Sequence, residues 1–285
     1  MARPSPFDQI GPALAALPVL ISVPHAGRDY PASLAELTRV GMPQLLPLED
    51  RFADLMLADA VAGGAQALVS RVPRLLIDLN RDVREFDPAI IEGDAGAVPL
   101  ASAKVRGGLG LVPRKVRGGE IWRHKLPASE LQLRIADIHR PYHAALADRL
   151  AVMRQRFGVA VLLDLHSMPP VVDRSGEGAP QIVIGDRFGR STHGRFTARA
   201  LAELEAAGYA TSVNVPYAGG HILDRHGNPG GGVHAIQIEI DRRLYLDASL
   251  EAPGPGLAAV RRLIARLVQA LADEACAMPF AIAAE

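Results

Sequence analysis

GVAVLLDLHSMPP, residues 158 to 170, is the stretch from which the rest of the chain can be read. Val159 to Leu163 is an unbroken apolar run rich in branched side chains, the mark of a buried strand, and Pro169-Pro170 closes it. Successive strand side chains alternate between faces, so Asp164 and His166 share one face at the strand's end. In α/β sheets ligands gather beyond the carboxyl ends of strands, which makes a histidine beside a carboxylate there a candidate metal ligand or base. The alternative is a structural pair in which His166 simply bonds to Asp164.

Three other strand ends repeat the theme. Pro18 to Val23 is a short apolar strand that runs into Pro24-His25-Ala26-Gly27, a turn that sets the His25 imidazole at a sheet edge. Leu48, Phe52, Leu55 and Met56 fall in helical spacing, and Glu49 and Asp50 at its start suit a helix N-terminus or offer hard oxygen ligands. Arg74 to Leu79 reads as a strand ending in Asn80-Arg81, where a guanidinium could clamp a carboxylate or pair with Asp82 or Glu85. Val233 to Ile240 alternates Ile236, Ile238 and Ile240 with Gln237 and Glu239. An acid on such a strand needs a cation or a proton, so Glu239 is the candidate general base; Arg242 or Arg243 could instead pair with it.

Between these lie helical and loop segments. Residues 91 to 119 are glycine-rich without the strand-Gly-helix context of a phosphate loop, and are expected to form a long functional loop. Ser129 and Gln132 stand in capping-box spacing before a helix that Pro141 should kink or split. Strands are expected at 181 to 185 and 209 to 215, with a helix around 196 to 206. Gly219-Gly220 suggests a turn presenting Tyr217 or His221. Leu257 to Ala275 reads as a closing amphipathic helix.

A chain of 285 residues, 49% hydrophobic, can build a sizeable core, and one domain over 1–285 is expected. Lysine plus arginine equals aspartate plus glutamate at 31 each, so no electrostatic footprint for nucleic acid or an anionic membrane is present. A small-molecule partner follows. The single cysteine, Cys276, excludes an intramolecular disulfide and a cysteine-based zinc site, which suits a cytoplasmic location. The apolar N-terminal run is short, is broken by Pro18 and lacks a basic leader, so it reads as a core strand.

PHAGRDYP, EDRFADLM, RLLIDLNRD, RPYHAAL, DLHSMPP, IVIGDRFG, NVPYAGGHI and HAIQIEIDRRLY stand in the order and rough spacing of the N-formylglutamate amidohydrolase family, which this chain resembles from about residue 20 to 247. The resemblance implies an α/β fold, a three-layer αβα sandwich on a central mixed sheet like that of the zinc carboxypeptidases. It implies one Zn2+ per chain held by His25 and His166, with Glu239 as the catalytic carboxylate and Asn80 and Arg81 binding a substrate carboxylate. In the carboxypeptidases the third ligand comes three residues after the first histidine; here that residue is Arg28, which cannot bind a metal. The carboxylate must come from elsewhere, and the resemblance favours Asp50, since the aspartate of the ED pair is expected to recur in the family pattern, with Glu49 as the alternative. Cobalt or iron could replace zinc in such a donor set.

The implied reaction is hydrolysis of the formamide of N-formyl-L-glutamate to formate and glutamate, as in one route of histidine degradation. Arg74 or Arg81 would help to stabilise the oxyanion, Asp164 would fix the His166 tautomer, and Arg106, Arg242, Tyr217 and His221 would complete the anionic substrate's binding site. Two rivals keep parts of this site: a zinc carboxypeptidase-like or other N-acyl-amino-acid amidohydrolase, and a catalytically silent binder of small acids. The oligomeric state is not legible.

Overall fold

Strand Ala160–Met168 sits at the centre of a seven-stranded sheet, and every one of its residues is buried. The structure is a computed structural model that describes residues 5–172 and 178–277, so residues 173–177 of the loop expected after Pro170 lie outside it. In chain order the strands are Phe7–Ile10 (β1), Val19–Val23 (β2), Gln66–Ser70 (β3), Ala160–Met168 (β4), Ile182–Gly185 (β5), Thr211–Val213 (β6) and Val233–Asp241 (β7). They lie in the order β1-β3-β2-β4-β7-β5-β6. β2, β4 and β7 run parallel, β7 pairs antiparallel with β5, and β5 runs parallel to β6. The fold is thus α/β with a mixed central sheet, as the resemblance implied.

The chain groups into two compact units. The first comprises Met1–Asp8, Pro24–Arg51 and Val69–Ala145; the second comprises Gln9–Val23, Phe52–Leu68 and Leu146–Glu285. The second unit carries the body of the sheet. Helix Gly194–Ala206 buries Phe196, Ala200 and Leu204 at spacings of four, and helix Leu257–Cys276 buries Val260, Leu263, Ile264, Leu267, Val268 and Leu271 on one stripe. The two pack on each other, and the latter also lies against β2 and β4. Each leucine or isoleucine so buried contributes about 1.5–3 kcal/mol relative to exposure, which is why the stripe, more than local propensity, holds these helices. Arg261 and Arg266 lie off the stripe and reach Asp59 and Glu203.

The first unit is built around apolar clusters. One gathers Ile77, Phe86, Ile91, Leu111, Leu131 and Ile135; another gathers Leu34, Leu45, Leu48, Leu75 and Ile121. Residues 74–79, expected as a strand, form turns instead. Leu75 and Ile77 are buried alternately, as in a strand, but they serve different clusters, and the Asn80 N–H donates to the Asp78 carboxylate. The helix expected over 48–56 is also corrected: a 3-10 turn ends at Leu48, Phe52 takes a left-handed conformation, and a second 3-10 turn starts at Ala53. Glu49 and Asp50 therefore occupy a bend between helical turns.

Ser129 does not cap its helix, which spans Ala128–Arg134 with Pro127 at its N-cap; Gln132 instead donates to the Ala95 carbonyl (2.6 Å). Pro141 does not end the helix either. A wide π turn, Ile135–His139, precedes helix Arg140–Phe157. Proline cannot donate to the carbonyl of Asp137 and crowds it, and the wide turn accommodates both effects. Among the described residues no helix is long and apolar enough to cross a membrane.

Candidate active site

In the second unit the register of the parallel strands lines up the chemistry. Ser22 of β2 stands level with Asp164 of β4, which stands level with Gln237 of β7; on the next rung that points to the same face, His166 stands beside Glu239. Asp164 accepts from the Ser22 hydroxyl (2.9 Å) and from His166 Nε2–H (2.8 Å). That contact fixes the tautomer and turns Nδ1 of His166 into its lone-pair nitrogen. Gln237 donates to Glu239 Oε1 (2.9 Å), and both are buried. Buried polar groups need such partners: Ser22 reaches Asp164 from the neighbouring strand, whereas His166 and Gln237 each reach a carboxylate two residues away on their own strand.

The two arginines close to Glu239 in sequence make contacts of their own. Arg243 forms an ion pair with Asp241, and buried Arg242 donates from Nε to the Ser167 hydroxyl (3.1 Å), next to His166 in sequence. The loop that carries Tyr217 is tied down by Asp186. Burial alone would raise the Asp186 carboxyl, but hydrogen bonds from Asn214, the Gly189 N–H and Thr197 outweigh it and hold the group below the usual range. A Cβ on Gly185, at the end of β5, would meet the Gly219 nitrogen at 2.7 Å, so the Gly219-Gly220 turn presses directly on the strand. Tyr217 and His221 are half-buried on either side of that turn, His221 opening the short helix His221–His226.

In the first unit the centre is Asp78, fully buried. It accepts from His25 Nε2–H (2.7 Å), Arg74 Nε (2.8 Å) and the Asn80 N–H (2.8 Å), with Arg81 Nε at 3.7 Å. Burial alone would push its carboxyl up, but the Arg74 and Arg81 guanidinium groups and the His25 ring hold it well below the usual carboxylate range. With Nε2 committed, Nδ1 of His25 faces Asp50 Oδ2 at 3.3 Å, and the Asp50 N–H donates to the His25 carbonyl (3.0 Å). An imidazole lone pair opposite a carboxylate oxygen is relieved by a cation or a proton between them, so these two residues fit a divalent metal in both donor type and orientation.

Glu49, the alternative ligand, has both oxygens engaged: Tyr30 donates to Oε1 (2.5 Å) and Arg51 to Oε2 (2.9 Å). Burial raises the Tyr30 hydroxyl, and the Glu49 contact raises it further, so it stays a donor. Arg81 is buried and gives Nε to the Leu109 carbonyl and Nη1 to that of Asn80. Arg106 differs: it is exposed at the end of the short helix Ala103–Arg106 and donates to the Ala101 carbonyl.

Comparison with known proteins places the chain in a family. The N-formylglutamate amidohydrolase family profile matches residues 17–246. The chain belongs to that family. It is therefore a hydrolase acting on an amide bond. It is 32% identical over 237 residues to an N-formylglutamate deformylase of Pseudomonas aeruginosa, covering 81% of this chain and 83% of the relative. A deformylase of Pseudomonas putida is 31% identical over 239 residues, covering 81% and 82%. The crystal structure of N-formylglutamate amidohydrolase from Ralstonia eutropha JMP134 superposes with a TM-score of 0.88 at 31% identity, covering 95% of this chain and 98% of that one.

The residues that local reading left unassigned are the orienting partners. Asp78 reads as a polar strand end, Ser22 as strand filler and Gln237 as the neutral neighbour of a candidate base. The one local signal was the alternation in β7, which already placed Gln237 on the face of Glu239.

Proposed function

We propose that this amidohydrolase removes the formyl group from N-formyl-L-glutamate, using one zinc ion held by His25, His166 and Asp50. The observation that carries the reading is the rung on which His166 stands beside Glu239 on parallel strands, the histidine oriented by Asp164. Chain continuity supports the ligand set: β2 runs parallel to β4 in register at Ser22 and Asp164, His25 follows β2 by two residues, and His166 follows Asp164 by two. Each of the three offers one ligand atom of a kind zinc accepts, and two imidazoles with one carboxylate leave a fourth position open. Zinc there would supply Lewis acidity, polarising the formyl carbonyl and acidifying water towards a pKa of about 7.

The chain's own residues do the rest. Glu239 takes the proton from the water that attacks the formyl carbon and delivers it to the departing nitrogen, so that the C–N bond breaks to formate and a free amine. Gln237 holds Glu239 through Oε1 and so orients its carboxylate. Arg74, fixed by Asp78, supplies positive charge for the developing oxyanion; a donor of this kind typically contributes about 3 kcal/mol. Asn80, Arg81 and Arg242 are assigned to the substrate's carboxylates, with Tyr217 and His221 on the loop and Arg106 at the periphery.

Formate release from N-formyl-L-glutamate by the purified protein, with zinc and after chelation, tests the reading. Turnover that is lost on chelation and restored by zinc is expected. Turnover that survives complete chelation would remove the metal from the account. Absence of turnover with one zinc bound would remove the substrate, and a panel of other N-acyl amino acids would then locate it.

A further inference from the structure

Two buried histidines have been given no role so far. His139 ends the π turn and His143 follows it by one helical turn; their rings are 4.4 Å apart between centroids, and both are shielded from solvent. Nε2 of His139 lies 2.9 Å from the Arg81 carbonyl, and Nε2 of His143 lies 2.9 Å from the Leu79 carbonyl. A carbonyl only accepts, so in both rings Nε2 carries the proton and donates. Between these two anchors the Asn80 carbonyl accepts from Arg81 Nη1 (2.6 Å). Three consecutive carbonyls, those of Leu79, Asn80 and Arg81, are thus fixed by side chains, in a segment that is not part of a strand.

We infer that His139 and His143 are positioning residues that hold the Leu79–Arg81 main chain so that Asn80 and Arg81 present a preformed carboxylate-binding surface. The inference rests on the assignment of Asn80 and Arg81 to a substrate carboxylate. Its physical basis is that this segment lies outside the strands: the Asp78 N–H has a main-chain partner in the Leu111 carbonyl, whereas the Leu79, Asn80 and Arg81 carbonyls are held by side chains. A π turn is costly in an otherwise regular helix and recurs where a helix must place particular side chains; here it carries one of the two donors. A segment held in this way loses little freedom when an anion binds, whereas a loose one must be ordered at the expense of affinity.

The test uses four variants of the full chain, His139→Leu, His143→Leu, His139→Gln and His143→Gln, the glutamines retaining an N–H at about the place of Nε2. Amide hydrogen exchange over residues 76–84 and steady-state kinetics with N-formyl-L-glutamate are measured on each. The leucine variants should exchange about tenfold faster over 76–84 while β7 keeps its protection. Their KM should rise about tenfold with kcat within about threefold of the parent, the signature of lost binding that is uniform between ground and transition states. The glutamine variants should return both readouts towards the parent.

Unchanged exchange over 76–84 in the leucine variants, or loss of kcat at constant KM, would overturn the inference. If the leucine variants fail to fold, the glutamine variants decide: parental exchange and KM support it, and raised exchange there refutes it. Should the parent protein not hydrolyse N-formyl-L-glutamate at all, the functional reading fails, while the exchange experiment still reports on the positioning role.

Discussion

Asp78→Asn is the substitution that tests the orientation of His25 most directly. The carboxylate is fully buried and joins His25, Arg74 and the Asn80 main chain, with Arg81 close by. Asparagine keeps the shape and one acceptor but removes the charge, leaving two guanidinium groups facing a neutral amide. Breaking a buried ion pair by removing one partner costs about 3–5 kcal/mol, and the partial exposure of Arg74 argues for the lower end. For a chain of this size that is a fall in melting temperature of about 6–10 °C.

The second expected effect of this substitution is on the proposed metal site. Without the carboxylate the His25 ring loses the partner that sets its tautomer and aims Nδ1 at Asp50, and loss of such a partner lowers metal affinity about 10–100-fold. Competition with a chelating dye gives the zinc affinity, and a melt of the zinc-free protein gives the stability term separately. The linkage has a definite sign. The Asp78 carboxyl is depressed in the folded state, so its stabilisation is present above the unfolded pKa and is lost as the pH falls through the folded one. The parent should therefore lose more stability than the variant as the pH is taken well below 4. Zinc affinity within twofold of the parent, together with an unchanged melt, would refute the orienting role.

Other perturbations separate the remaining parts. Glu239→Gln should lower kcat by about 10²–10⁴ while one zinc per chain is retained, read from formate release and metal content. His234, buried against Phe196 on β7, is pushed down from 6.5 to about 4, first by burial and then by His193 and Arg195. The unfolded chain therefore binds a proton between pH 6.5 and 4 that the folded chain refuses, and stability falls on acidification across that window. After allowance for solvent screening this amounts to about 1–2 kcal/mol. His234→Gln should flatten the dependence of the urea midpoint on pH over the same window; an unchanged slope would show that His234 does not titrate there. Gly27→Ala would place a Cβ 2.1 Å from the Val72 carbonyl oxygen, in the turn that bears His25. A loss of about 3 kcal/mol or more is expected, measured by denaturant melts.

How much of this was legible in the sequence depends on whether the determining contact is local. β2, β4 and β7 could be read because a strand covered on both faces must be apolar along its length, and because the polar residues that interrupt such a run at its end have to serve some purpose. Histidine and carboxylate at those ends are visible as residue types, so His25, His166 and Glu239 stood out. Residues 74–79 were misread for the same reason: alternation reports burial, and Leu75 and Ile77 are buried, but it cannot report whether a neighbouring strand exists to accept the main-chain bonds.

The orienting partners are hidden more deeply. Ser22 meets Asp164 across 142 residues, His25 meets Asp78 across 53 and Arg242 meets Ser167 across 75. No window of the sequence contains both ends of any of these contacts. Asp164 and His166 are the exception, two residues apart on one face, and that pair was readable from the alternation alone. The histidines can therefore be named from the sequence, whereas which ring nitrogen is left to act follows only from the carboxylate that holds the other one. In the first unit that carboxylate is Asp78. In RLLIDLNR it reads as the polar end of an expected strand, and only the fold shows it to be the buried counter-charge that orients His25.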